Sequence, residues 1–233
     1  MLSAVVCKGQ INSDYLPPDQ LWLATEPLLP EQKYRRGGRG RPPEQAHKVF
    51  CAIFYVLRTA IQWKALPRSL GSPSTVHRYY QKWVAAGVFR SLWELGLMQL
   101  HVEDRLDWSY QSIDGTMTKA PLGGGATGAN PTDRGKKGVK RHLLTEAGGL
   151  PVGLRVTGAN VHDVKEAAQV LLTMPFLPPY ADQEHPQGFC ADKGYDSEGI
   201  RKLIDALGYE AHIKSRWDEK TEKQIQCPAQ YGL

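Results

Sequence analysis

At 233 residues the chain can form one large domain or two small ones, and its 41% hydrophobic content suits an ordinary soluble core. No run of about 18 uninterrupted apolar residues exists, which excludes a membrane-spanning helix, and the opening MLSAVVCKGQ does not read as a secretory signal. The net charge of +5 is unevenly spread, with 13 Lys and Arg against 6 acids in residues 1–100 but 9 against 12 in residues 151–233, a distribution that suits either a basic DNA grip joined to a carboxylate-bearing region or a solvated basic surface with no partner.

Residues 15–29 read as a short helix after Pro17-Pro18, with Asp19 suited to its first turn. The segment 33–44 follows, with Arg35, Arg36, Arg39 and Arg41 set among glycines and prolines that forbid a regular element. It has the composition of an arm that lays arginines along a DNA minor groove; the alternative is a solvated basic linker. From His47 the pattern turns helical, with Val49, Phe50, Ile53, Phe54, Leu57 and Ile61 on one stripe. A second helix is expected from Ser74, burying Val76, Tyr79, Tyr80, Trp83 and Val84 and ending at Gly87. Its other face carries His77, Arg78, Gln81 and Lys82, and the pair suits a helix-turn-helix reader with His77, Arg78 and Lys82 toward DNA. A third helix runs from Phe89 to about His101, and the polar run 102–108 marks a boundary. Residues 1–104 are thus expected to be a helical DNA-binding region and residues 105–233 a separate domain.

Beyond the boundary the hydrophobic period changes. Residues 110–117 read as a strand ending on Asp114, followed by a long glycine-rich loop from Lys119 to Gly138. Val139–Thr145 and Leu150–Thr157 form a strand pair around the turn 146–149. A helix is expected from His162 to Met174, with His162 and Asp163 as its capping pair. Residues 187–192 make a second strand ending on an acid, Asp192; Ser197 caps a helix that stops at Gly208, and 210–214 is a last short strand. An antiparallel start followed by alternating units describes an α/β mixed sheet of the RNase H type.

The two strand-terminal aspartates are the central chemical feature. Groups at strand ends of an open α/β sheet converge on one edge. Two carboxylates held together repel unless a cation lies between them, and hard ions such as Mg²⁺ take oxygen ligands. A two-metal site of this kind activates a water or a 3′-hydroxyl for in-line displacement at phosphorus. Gly115 and Gly194 are expected to keep the flanks of both acids open to substrate. Arg134, Lys136, Lys137, Lys140 and Arg141 crowd the entry to the second strand and are expected to contact phosphates. Asp133 and Asp196 read as turn or support residues, while His142 and His212 receive no role. Cys7, Cys51, Cys190 and Cys227 lie too far apart for a zinc ribbon or disulfide framework and read as reduced thiols of a cytosolic protein.

The strings running from Ser112 to Leu144, from Ala159 to Asp163 and from Ala191 to Ser197 resemble the insertion sequence 5 family of bacterial transposases. The run 66–89 and the upstream Gly40-Arg-Pro-Pro43 are similar to the DNA-binding region of the same family. The resemblance implies a DDE catalytic domain of RNase H-like fold, Mg²⁺ or Mn²⁺ dependence, and cleavage and rejoining of double-stranded DNA at terminal inverted repeats and target sites. It makes Asp114 and Asp192 the first two acids of the triad and leads one to expect a cytoplasmic, nucleoid-associated homodimer. The family's third acid, a glutamate, belongs in a run like R-W-V-V-E-R-T, whereas here the chain reads IKSRWDEKTEKQIQ. Glu219 and Glu222 stand in the wrong context, so the chain is expected to be truncated before that acid. The alternative function is then an inactive DNA-binding fragment that competes with full-length transposase. A phosphatase reading of Ile113-Asp-Gly-Thr116 fails because Ser112 stands where the nucleophilic aspartate would be.

Overall fold

In the computed structural model, which describes residues 13–31, 44–179 and 185–213, the helical period of the first hundred residues becomes four helices. These are α1 (Asp19–Thr25), α2 (Ala46–Thr59), α3 (Pro73–Ala85) and α4 (Val88–Val102). Pro18 and Ser72 precede the first and third in extended conformation, and Pro73 occupies the first turn of α3, where its missing N–H costs nothing. Gly87, at φ 76°, ends α3 as expected. The core of this region joins Val49, Phe50, Ile53 and Val56 of α2 to Val76 and Trp83 of α3.

Two features differ from the sequence expectation. Leu57 and Val84 stand at the margins of their stripes and are 55% and 50% exposed. The helices α2 and α3 are joined not by a tight turn but by residues 60–72, which form two 3-10 turns, Trp63–Ala65 and Arg68–Leu70. A helix-turn-helix uses about three or four residues at that point. The longer path arises because the connection supplies core of its own, with Leu66 and Leu70 both buried. The chain divides into two compact units between Gly96 and Leu97, inside α4.

The second unit is a mixed sheet with β1 (Tyr110–Lys119), β2 (Gly128–Ala129), β3 (Lys137–Glu146), β4 (Pro151–Gly158), β5 (Gln187–Ala191) and β6 (Tyr209–Ile213). β1, β3 and β4 are successive antiparallel neighbours, and β5 and β6 are added in parallel on the far side of β1. The short β2 also lies along β3. Parallel addition requires crossovers, and these contain α5 (Asp163–Leu171) and α6 (Glu198–Ala206). The result is the α/β, RNase H-like arrangement expected from the order of elements. The β3–β4 turn is held by Gly149 at φ 84° and by the buried Glu146 carboxylate. That carboxylate accepts the backbone N–H groups of Asp107, Gly148 and Leu150 at 2.8, 2.9 and 2.7 Å.

β1 does not end at Asp114. It continues to Lys119, paired with β3 as far as Gly138, while its pairing with β5 covers only residues 110–113. The acid therefore sits mid-strand, at the point where one of its two neighbouring strands stops. The glycine-rich segment contains β2, and α5 ends at Leu171, before the expected Met174. Ser197 caps α6 through the Ile200 amide, as the sequence predicts. His162 takes the N-cap position of α5 without a side-chain hydrogen bond, and Asp163 is employed elsewhere.

Candidate active site

Strand register places the two aspartates side by side. The last paired residues of β1 and β5 are Ile113 and Ala191, so Asp114 and Asp192 are the next residue on each of two parallel neighbours. Both are exposed. One oxygen of each carboxylate accepts the following backbone amide, Gly115 N–H or Lys193 N–H, at 2.7 Å. No other protein hydrogen bond or ion pair engages either carboxylate among the described residues. Two such groups on adjacent strands make an oxygen-rich edge suited to a hard cation. Among the described residues no cluster of three or more His, Cys, Asp or Glu could itself enclose a metal ion.

The sheet has two chemically distinct faces here. Pairing of Asp114 with Leu143 and of Thr116 with Arg141 puts Arg141 on the acid-bearing face, where its guanidinium donates to the Thr118 hydroxyl at 2.9 Å. Gly115 pairs with His142, and Met117 with Lys140, so those two polar residues point to the opposite face. Lys140 is buried, and its ammonium donates to Val161 O at 3.0 Å and to the Asp163 carboxylate at 3.1 and 3.3 Å. It is occupied inside the protein, unlike the exposed phosphate contact expected of it. Arg134, Lys136 and Lys137 are exposed, Arg134 with a left-handed backbone at φ 52°.

A polar layer lies beneath the acids. The Tyr195 hydroxyl is 3.2 Å from His142 Nδ1, and His142 Nε2 is 3.0 Å from the Thr157 hydroxyl. Burial, and then the carboxylates of Asp163, Asp114 and Asp192, push the Tyr195 hydroxyl well above the usual tyrosine range. It stays protonated and shares a hydrogen bond with Nδ1, while Nε2 shares one with the Thr157 hydroxyl. Burial pushes His142 below the ordinary histidine value, against the opposing pull of Asp163 and Glu166. Glu166 itself pairs with Arg155.

Asp163 links this layer to the acid site. A side-chain carbon added to Gly115 would lie 2.7 Å from Asp163 Oδ1, and one at Gly194 would lie 3.3 Å from Asp163 Oδ2. The glycines that follow Asp114 and Asp192 thus make room for one and the same carboxylate, and do not simply open the acids to substrate. Sequence reasoning missed Asp163, His142 and Tyr195 as parts of the site. The available signal was Lys140-Arg-His142, two polar side chains at inward-facing positions of a strand.

Elsewhere the structure separates the expected contacts. His77 packs at a tilt against Trp63 and stacks on Tyr80, with ring centroids 5.0 and 6.3 Å away, while Arg78 and Lys82 of α3 are exposed. Asp133 pairs with Lys119 and Asp196 with Arg201, consistent with support roles. Arg35, Arg36, Arg39 and Arg41, as well as Glu219, Glu222, Cys7 and Cys227, lie outside the described residues. No helix among the described residues is long and apolar enough to cross a membrane.

Residues 18–93 match the family described as putative transposase of IS4/5 family, and residues 110–232 match the transposase DDE domain. The chain is 37% identical over 116 residues to an uncharacterized 16.2 kDa protein of insertion element IS402 from Burkholderia cepacia, a match covering 48% of this chain and 79% of that protein. It is 40% identical over 98 residues to a putative transposase for the same element, covering 40% of this chain and 45% of the relative. Among solved structures, the Mos1 mariner paired end complex with Mn overlaps at a TM-score of 0.31 and 12% identity, over 83% of this chain and 65% of that one. Adjacent aspartates on a mixed sheet and the match over residues 110–232 agree, and the chain belongs to the DDE transposases of insertion sequences.

Proposed function

We propose that this chain binds the terminal inverted repeats of its element and cleaves and transfers DNA strands at a divalent-metal site built on Asp114 and Asp192. The observation that carries this reading is their register: two exposed carboxylates, consecutive to the last paired residues of parallel β1 and β5. Each is exposed and has one oxygen tied to a backbone amide, a donor set that fits a hard, oxygen-seeking cation keeping several waters. Mg²⁺ or Mn²⁺, when bound, supplies activation of a water or 3′-hydroxyl and neutralises charge at the leaving oxygen.

The chain's own residues provide alignment and a basic surround. The amides of Gly115 and Lys193 fix the orientation of the two carboxylates. Arg141, on the acid-bearing face, would neutralise a DNA backbone beside the acids, and the exposed Arg134, Lys136 and Lys137 would extend that basic surround toward the far end of β3. In residues 1–104, exposed Arg78 and Lys82 on α3 supply a second basic surface, and the arginines of the segment 33–44 are proposed as further DNA contacts. The domain from residue 105 is read as the catalytic one, and the functional unit as a homodimer on two DNA ends.

The deciding experiment incubates the purified full chain with Mg²⁺ or Mn²⁺ and DNA carrying the element's ends. Specific nicking is expected, and Asp114→Asn or Asp192→Asn should abolish it while leaving DNA binding and the thermal melt unchanged. Binding without nicking by the unaltered chain would reject the nuclease reading and leave that of a DNA-binding competitor. Nicking that survives both substitutions would remove the assignment of the acids.

A further inference from the structure

We infer that Asp163 is a positioning residue for the two site carboxylates, a wedge between the Asp114-Gly115 segment of β1 and the Asp192–Tyr195 turn after β5, anchored from below by Lys140. The inference rests on Asp114 and Asp192 being the metal-binding acids. Its basis is a juxtaposition that no pairwise strand contact requires. Asp163 begins α5, far along the chain from both acids, yet its carboxylate fills the space left by the missing side chains of both following glycines. Any side-chain carbon at Gly115 would also meet the Tyr195 hydroxyl at 3.2 Å and Lys140 Cδ at 3.4 Å, so the layer has no slack at that point.

The anchor is equally specific. Lys140 Nζ spans Val161 O and both Asp163 oxygens, tying the start of α5 to the centre of β3. The other side of the wedge is fixed by Tyr195, whose hydroxyl meets His142 on the same strand. β5 stops pairing with β1 at Ala191, so strand hydrogen bonds no longer set the spacing of the two chains where the acids stand. Asp163 occupies the interval beyond that point. Groups behind metal-binding side chains commonly tune affinity by orienting them, and their loss typically weakens metal binding about 10- to 100-fold.

Removing Asp163 alone would leave a buried, unpaired ammonium, so the test removes both charges. In the full chain, Lys140→Met/Asp163→Ala empties the wedge, and Lys140→Met/Asp163→Asn keeps its shape. Mn²⁺ binding, followed by the electron paramagnetic resonance of the free ion, should weaken about tenfold in the Ala form and recover most of the loss in the Asn form. Thermal melts of the two forms should agree closely, which a merely structural role for the residue would not combine with different Mn²⁺ affinities. Amide hydrogen exchange in the metal-free protein should accelerate at Gly115 and Lys193 in the Ala form alone. Equal Mn²⁺ affinities in all three proteins, or an Asn form no better than the Ala form, would overturn the proposal. If the unaltered chain binds no Mn²⁺, the metal assignment of the acids fails, and unchanged exchange at both amides then overturns the wedge as well.

Discussion

Glu146 and His142 illustrate how buried polar side chains hold the frame around this site. Glu146 accepts three backbone amides that would otherwise be unpaired at the β3–β4 turn and before β1. Glu146→Gln puts an N–H₂ group against one of those donors, and charged hydrogen bonds of this kind contribute about 1.5–3 kcal/mol each. The variant should lose about 2 kcal/mol of stability in a urea titration. His142 is fully buried between Tyr195 and Thr157, and burial lowers its proton affinity. The unfolded chain therefore takes up the proton first as pH falls. The stabilising effect of neutral His142 is complete above about pH 6.5, the unfolded value, and is lost as pH drops below it through the lower folded value. Melting temperatures measured from pH 7 to 5 should fall less steeply in His142→Gln than in the unaltered chain; an equal or steeper fall would contradict this account.

At the scale of elements, end signals and period were legible, while pairing partners were not. The Gly87 and Gly208 stops and the Ser197 cap follow from local backbone demands that a sequence displays directly. The end of α2 did not carry such a signal, because Ala60 takes the left-handed conformation at φ 53° that glycine ordinarily supplies. An L-residue there costs about 1–2 kcal/mol, part of which is returned by alanine's lower entropy when unfolded. Ala60→Gly should therefore raise stability by about 0.5–1 kcal/mol, read as a shift in denaturation midpoint. The length of β1 is not legible locally because its second half pairs with β3 alone. Strand length there depends on a partner far along the chain, which local composition does not specify.

Across the whole molecule, charge is divided between a basic first hundred residues and a mildly acidic end, with the acid pair lying in the second unit. If the arm 33–44 lies on DNA, neutralising Arg35, Arg36, Arg39 and Arg41 should weaken binding and flatten its salt dependence. The slope of log affinity against log salt should fall by roughly 0.9 for each phosphate contact removed. An unchanged slope would mean that the arm does not touch phosphate.

Asp114 and Asp192 stand out in the sequence, because an acid at the close of an apolar run with a glycine one or two residues on is a local pattern, and the family motifs extend along most of the chain. The same was true of the mixed α/β class, since alternation of periods fixes which elements form. Three-dimensional pairing decided the rest. It set Asp114 beside Asp192 in register, turned Lys140 inward while leaving Arg141 on the acid-bearing face, and brought Asp163 against two glycines distant in the chain. The physical reason is that a strand's side-chain period of two specifies alternation but not which face is covered. Which polar groups become buried, and what they then must bond, depends on where α5 packs; only the assembled sheet and its crossover helix determine that.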